Sequence, residues 1–108
     1  MEAEQTNPMN LTEDQEEHFK MLLAALQIYL QRDKIRGDLW RSRPLSHKME
    51  MIAEKHDRVM AGLDRLSEVP LDDDDLAIEI IRAMIDDLLD IVNFAVFGVR
   101  LIKEKKIG

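Results

Sequence analysis

The fold this sequence predicts is all-α: a helical bundle of three main helices with a long C-terminal core helix, completed by oligomerisation. Three observations carry that expectation. Apolar residues recur at spacings of three and four through three separate segments. The last segment, Asp72 to Lys106 (DDDDLAIEIIRAMIDDLLDIVNFAVFGVRLIKEKK), is apolar on nearly every side, and such a helix has to be buried. Unbroken, it would run ~50 Å at 1.5 Å per residue, beyond the ~35 Å expected of a compact domain of this size. Either it bends near Gly98 or its far half packs on a second subunit. The all-round apolar surface favours the subunit.

Residues 1–11 read as an acidic, polar, flexible tail with neither the basic start nor the apolar run of a secretion signal, and residues 12–106 as one domain. Thr12 with Gln15 three residues on makes a capping box, and Phe19, Leu22, Leu23, Leu26 and Leu30 then line one face, so the first helix should run from Thr12 to about Arg36. Gly37 is a natural stop. The segment GDLWRSRPLS follows as a loop. Ser46 can cap a second helix from His47 to Leu66, with Met49, Ile52, His56, Val59, Met60, Leu63 and Leu66 as its apolar face and His56 turned inward. Pro70 separates it from the third helix. The run Asp72 to Asp75 places carboxylates at the positive end of that helix's dipole; it lacks the alternation and central glycine of a calcium loop. The closing KEKKIG sets lysines at the negative end and then frays.

Composition narrows the function. The chain has no cysteine, which removes disulfides and thiolate metal sites and fits a reducing, cytoplasmic compartment. With 15 basic against 22 acidic residues and a net charge of −7, wholesale binding to a nucleic-acid backbone is not expected, whereas hard divalent cations would be welcome. No stretch approaches the ~20 uncharged residues of a membrane span.

Two features stand out as candidate site elements. On the last helix, Glu79, Asp86, Asp90 and Asn93 fall within about 60° of one another, with Arg82 and Arg100 along the same edge. Unpaired carboxylates are costly to bury, so this stripe should face a metal, a set of cations or a wet cleft. On the second helix Glu50, Glu54 and Asp57 share a face with Arg58 beside it. Alone they are an ordinary solvated surface; opposite an acidic cleft they become a second wall. The loop holds the only tryptophan, Trp40, with Arg36, Arg41 and Arg43 around it. Trp40 either plugs the end of the bundle or belongs to a lid that stacks on a base while the arginines pair with phosphates.

The stretches KIRGDLWR, EMIAEKHDRV and DDLLDIVNFAVFGV resemble the pattern of small phage and bacterial nucleotide-modification-associated domains. Those are related to the all-α nucleoside triphosphate pyrophosphohydrolases (MazG-like and dimeric dUTPase-like enzymes). Gly37, Asp38, Trp40 and Arg41 match a Gly-acid-x-Trp-Arg loop; Glu50, Lys55 and Arg58 match the helix that follows; Asp90, Asn93 and Phe94 match the closing D-x-x-N-aromatic signature, the most specific part. The resemblance spans roughly Lys34 to Val99. It implies Mg²⁺ (or Mn²⁺) held by two acidic motifs, here Glu54-x-x-Asp57 and Asp87-x-x-Asp90, with aspartate standing twice where the wider group has glutamate.

On that resemblance the expected function is Mg²⁺-dependent cleavage of a nucleoside triphosphate to monophosphate and pyrophosphate, in a phage or bacterial cytoplasm. Glu54, Asp57 and Asp87 would be catalytic, and Glu50, Glu54, Asp57, Asp86, Asp87 and Asp90 would supply metal ligands. Trp40, Arg41, Lys55, Arg58 and Asn93 would bind substrate. The competing expectation is a non-enzymatic dimeric helical adaptor, or a protein that binds nucleotides without cleaving them. In both, the chain is a homo-oligomer, dimer or tetramer, without nucleic-acid or membrane partners.

Overall fold

In a computed structural model, which describes residues 10–37 and 39–108, the chain is all-helical. Helix α1 spans Glu13–Arg36, a 3-10 turn spans Leu39–Ser42, α2 spans Leu45–Ser67 and α3 spans Asp74–Lys103. The first nine residues of the expected tail, and Asp38 of the loop, lie outside the described residues.

Helix α1 starts as its sequence requires. The Thr12 hydroxyl accepts from the Gln15 backbone N–H at 3.2 Å, and the Gln15 side chain accepts from the Thr12 backbone N–H at 2.9 Å. At its end Gly37 sits at φ +57°, a backbone glycine alone adopts freely, and its N–H donates to the Asp33 carbonyl at 2.8 Å. Helix α3 is capped by Asp73, whose side chain accepts from the Leu76 backbone N–H at 3.1 Å. It then runs as one continuous helix through Gly98, where a bend was the less favoured alternative to packing on a second subunit. Gly98 has a packing role instead, since a Cβ on it would lie 3.2 Å from Leu45 Cδ1.

Helix α2 departs from the sequence reading in three ways. It begins at Leu45, not His47, and its cap is Pro44, which makes no side-chain hydrogen bond; Ser46 lies inside the first turn. The Leu45 N–H is satisfied by a distant group, the Ile107 carbonyl at 3.0 Å. The C-terminal residues therefore do not simply fray. Lys105 takes a left-handed conformation at φ +58°; its N–H donates to the Ile102 carbonyl at 3.1 Å and the Lys106 N–H to the Leu101 carbonyl at 2.9 Å. This closing motif turns Ile107 toward the start of α2.

The third departure concerns which face of α2 is covered. Lys48 and Gly62 are buried, and Met51, Ile52, Lys55, Val59 and Leu66 are partly so, at spacings of three and four. His56, Met49, Met60 and Leu63, expected inside, are exposed. The expected apolar face was turned about one residue from the true seam, because that seam contains two lysines and a glycine that no apolar pattern counts. Gly62 is where α2 comes closest to α3: a Cβ there would lie 2.7 Å from Met84 Cγ.

Helix α3 is correspondingly turned. Its covered side is Ile80, Asp87, Asp90, Phe97, Gly98 and Leu101, with Phe94 partly covered. Glu79, Arg82 and Asp86 are exposed, so the acidic stripe divides: Asp90 and Asn93 face the other helices, while Glu79 and Asp86 face solvent. The aromatic core lies at the C-terminal half of α3. Trp40 stacks on Phe97 with centroids 4.5 Å apart and planes 12° from parallel, and Tyr29 and Phe94 meet Phe97 edge-on at 5.2 and 6.2 Å.

Candidate functional site

Two adjoining features are built around the middle of α3. The first is an ion-pair network joining all three helices. Asp90, almost fully buried, accepts from Arg32 of α1 at 2.7 Å with a second, longer contact at 3.5 Å. From α2, Lys55 Nζ lies 3.2 Å from Asp90 Oδ2 and 3.7 Å from Asp87 Oδ1, and Arg58 Nε lies 3.5 Å from Asp87 Oδ2. Three cations thus meet two buried carboxylates, and the unit carries a net positive charge. One turn further on, the Asn93 side-chain amide donates to the Ala25 carbonyl at 2.9 Å, fixing α1 to α3.

The second feature is a cleft of roughly 250 Å³ beside Asp90, between the end of α1, the 3-10 turn, the start of α2 and the face of α3. Its apolar wall is formed by Tyr29, Met51, Phe94 and Phe97, and its basic lining by Arg32, Arg36, Arg43 and Lys48. That volume lies a little below the ~300 Å³ at which drug-sized sites begin, so a larger ligand would project past the rim.

Lys48 is the most unusual residue there. It is 1% exposed, yet it has no carboxylate partner among the described residues, and its ammonium donates only to the Arg43 carbonyl at 3.4 Å. Burial, and then the Arg43 charge, push its pKa below the usual lysine value. His47 is also lowered, by burial first and then by Lys48 and Arg43, with Glu50 opposing. With Arg43 Nη1 3.1 Å from its Nε2, a neutral His47 accepts there and carries its proton on Nδ1. His47 Nδ1, Trp40 Nε1 and Asp33 Oδ1 are buried without a hydrogen-bond partner among the described residues, and all three residues line the cleft. Buried polar atoms are rarely left so.

Of the sequence candidates, the structure brings together Lys55, Arg58, Asp87 and Asp90 in the network and Trp40 and Asn93 at the cleft. Trp40 is not a lid. Its ring is 9% exposed, stacked on Phe97, with the Arg41 and Arg100 guanidinium carbons each 4.6 Å from its centroid, so it has no free face for a base. Arg41 is held by Glu104 at 2.5 Å rather than lining the cleft. Glu50, Glu54, Asp57 and Asp86 are exposed, and among the described residues no three carboxylate or imidazole groups converge as a metal would need. The position between Asp87 and Asp90 is taken by Lys55, so this arrangement does not fit the divalent ion that the resemblance implies. Sequence reasoning missed Arg32, Lys48, His47 and Asp33. An arginine five turns along α1 carries no local signal of its partner on α3, but a lysine on the buried seam of α2 could have been noticed.

Compared with known proteins, no family model, curated relative or solved structure matches the chain. No helix among the described residues is long and apolar enough to cross a membrane.

Proposed function

We propose that this protein binds a nucleotide, with the base against Tyr29, Phe94 and Met51 and the phosphates on Lys48, Arg43, Arg36 and Arg32. The carrying observation is Lys48: a buried ammonium without a counter-ion, on the wall of an aromatic cleft, suits an anionic ligand that supplies the missing charge. Arg36 and Arg43, both exposed residues of the cleft lining, add charge for the phosphates. The resemblance in the loop and in Asp90, Asn93 and Phe94 points to the same class. Cleavage to monophosphate and pyrophosphate is the further-reaching form of the proposal, with any Mg²⁺ or Mn²⁺ arriving on the nucleotide's phosphates and not on the Asp87–Asp90 pair, and a cytoplasmic nucleotide-pool role goes with it.

The protein acts, in this proposal, as a homodimer. Ile78, Ile81, Ile85, Leu88, Val96, Val99 and Ile102 form a second stripe along α3, each about half exposed, and Phe19, Leu22, Leu26 and Leu30 do the same along α1. Stripes this long are seldom left to solvent. Thermal shift with each common and modified (deoxy)nucleoside triphosphate, with released pyrophosphate measured in the same samples containing Mg²⁺ or Mn²⁺, tests the ligand, and light scattering tests the dimer. No shift with any nucleotide would end the binding proposal. A shift without pyrophosphate would leave a binding protein and end the hydrolytic form.

A further inference from the structure

The cation between Asp87 and Asp90 is part of the chain itself. Lys55 Nζ stands 3.2 Å from Asp90 Oδ2 and 3.7 Å from Asp87 Oδ1, on a side chain that is only 14% exposed. Arg32 and Arg58 close the outer sides of the two carboxylates, at 2.7 Å from Asp90 and 3.5 Å from Asp87. The Asp87 and Asp90 side chains are only 7% and 4% exposed. A pair of buried aspartates one turn apart on a helix is the kind of donor set that takes a hard divalent cation, and here that place is filled by an ammonium on a tether.

We propose that Lys55 is the resident cation of the Asp87–Asp90 pair and keeps divalent metal out of it. A divalent ion entering between the two carboxylates would meet the ammonium at contact distance. That repulsion, at the effective dielectric of a partly buried site, weakens binding by about 100-fold or more. Removing the charge while keeping the side chain's volume, as in Lys55→Met, leaves the carboxylates paired with Arg32 and Arg58 alone and opens the position between them to a divalent cation. With three cations on two carboxylates the centre needs no metal for its charge balance, so folding does not depend on one. The inference rests on the ion pairs alone and not on the nucleotide reading, and its test contains no nucleotide.

Metal-stripped full-length protein is titrated with Mn²⁺, free Mn²⁺ is followed by electron paramagnetic resonance, and unfolding is followed by circular dichroism. The wild-type protein is expected to take up no stoichiometric Mn²⁺ and to show the same Tm in EDTA and in Mn²⁺; Lys55→Arg, which keeps the charge, should behave likewise. Lys55→Met is expected to lose stability in EDTA, to recover it in Mn²⁺ and to bind one Mn²⁺ per chain about 100-fold more tightly than wild type. Adding Asp87→Asn should abolish that uptake. Wild-type protein that binds Mn²⁺ and loses it in Asp87→Asn overturns the proposal, as does a Lys55→Met chain, folded or not, on which Mn²⁺ has no effect.

Discussion

Replacing Lys48 by methionine should make the protein more stable and a poorer binder of anions. Methionine nearly matches the lysine stem in volume and flexibility, so the change removes a charge without opening a cavity. The ammonium is 1% exposed and its one hydrogen bond, 3.4 Å to the Arg43 carbonyl, is too long to offset the loss of water. Replacing buried charge by apolar side chains of similar size typically stabilises by about 1–4 kcal/mol; the lower end applies here because the amine can shed its proton. About 1 kcal/mol corresponds to a rise of roughly 4–8 °C in Tm for a domain of this size. The pH dependence gives a second reading. Lys48 has a lowered pKa when folded, so in the window below 10.5 the unfolded chain binds the extra proton and stability rises with pH. That rise should be weaker in Lys48→Met. Thermal unfolding by circular dichroism at pH 7 and at pH 10, with and without a saturating nucleoside triphosphate, measures all of this. Saturation to about 100 times Kd stabilises wild type by about 2.7 kcal/mol, and a ten-fold weaker Kd in the variant removes about 1.4 kcal/mol of that. A variant less stable than wild type at pH 7, or with an undiminished nucleotide shift, would refute the reasoning.

Other substitutions probe the remaining features. Asp90→Ala removes the partner of Arg32 and the nearer partner of Lys55 and should cost about 1.5–3 kcal/mol in a denaturant titration, more than Asp86→Ala, whose side chain faces solvent. Gly62→Ala sets two effects against each other: better helix propensity contributes about 1 kcal/mol, while a Cβ 2.7 Å from Met84 Cγ forces α2 and α3 apart for about 1–3 kcal/mol, so the urea midpoint should fall. Lys105→Gly relieves a left-handed residue at the end of α3 and should raise stability by about 1 kcal/mol; no change in Tm would mean that the closing turn is not formed in solution.

The three helices follow from local physics, which is why the sequence determined them. The Thr12–Gln15 box, the Gly37 stop, the Asp73 cap and the apolar spacing of α3 each depend on residues within a turn or two of one another. The tertiary structure decided which side of each helix faces in. Hydropathy treats lysine and aspartate as surface, yet Lys48, Lys55, Asp87 and Asp90 occupy the buried seams, because a cation on α2 and a carboxylate on α3 offset one another's burial only once the two helices meet. That turned His56 outward, divided the acidic stripe and put an ammonium where a metal was expected. The same holds for Arg32 on Asp90 and for Ile107 on the first turn of α2, contacts between groups 58 and 62 residues apart in the chain. No local pattern encodes a partner at that distance. Trp40 shows the boundary most plainly: the sequence marked it as special, and only the fold, by stacking it on Phe97 beneath two guanidinium groups, decided that its ring is core.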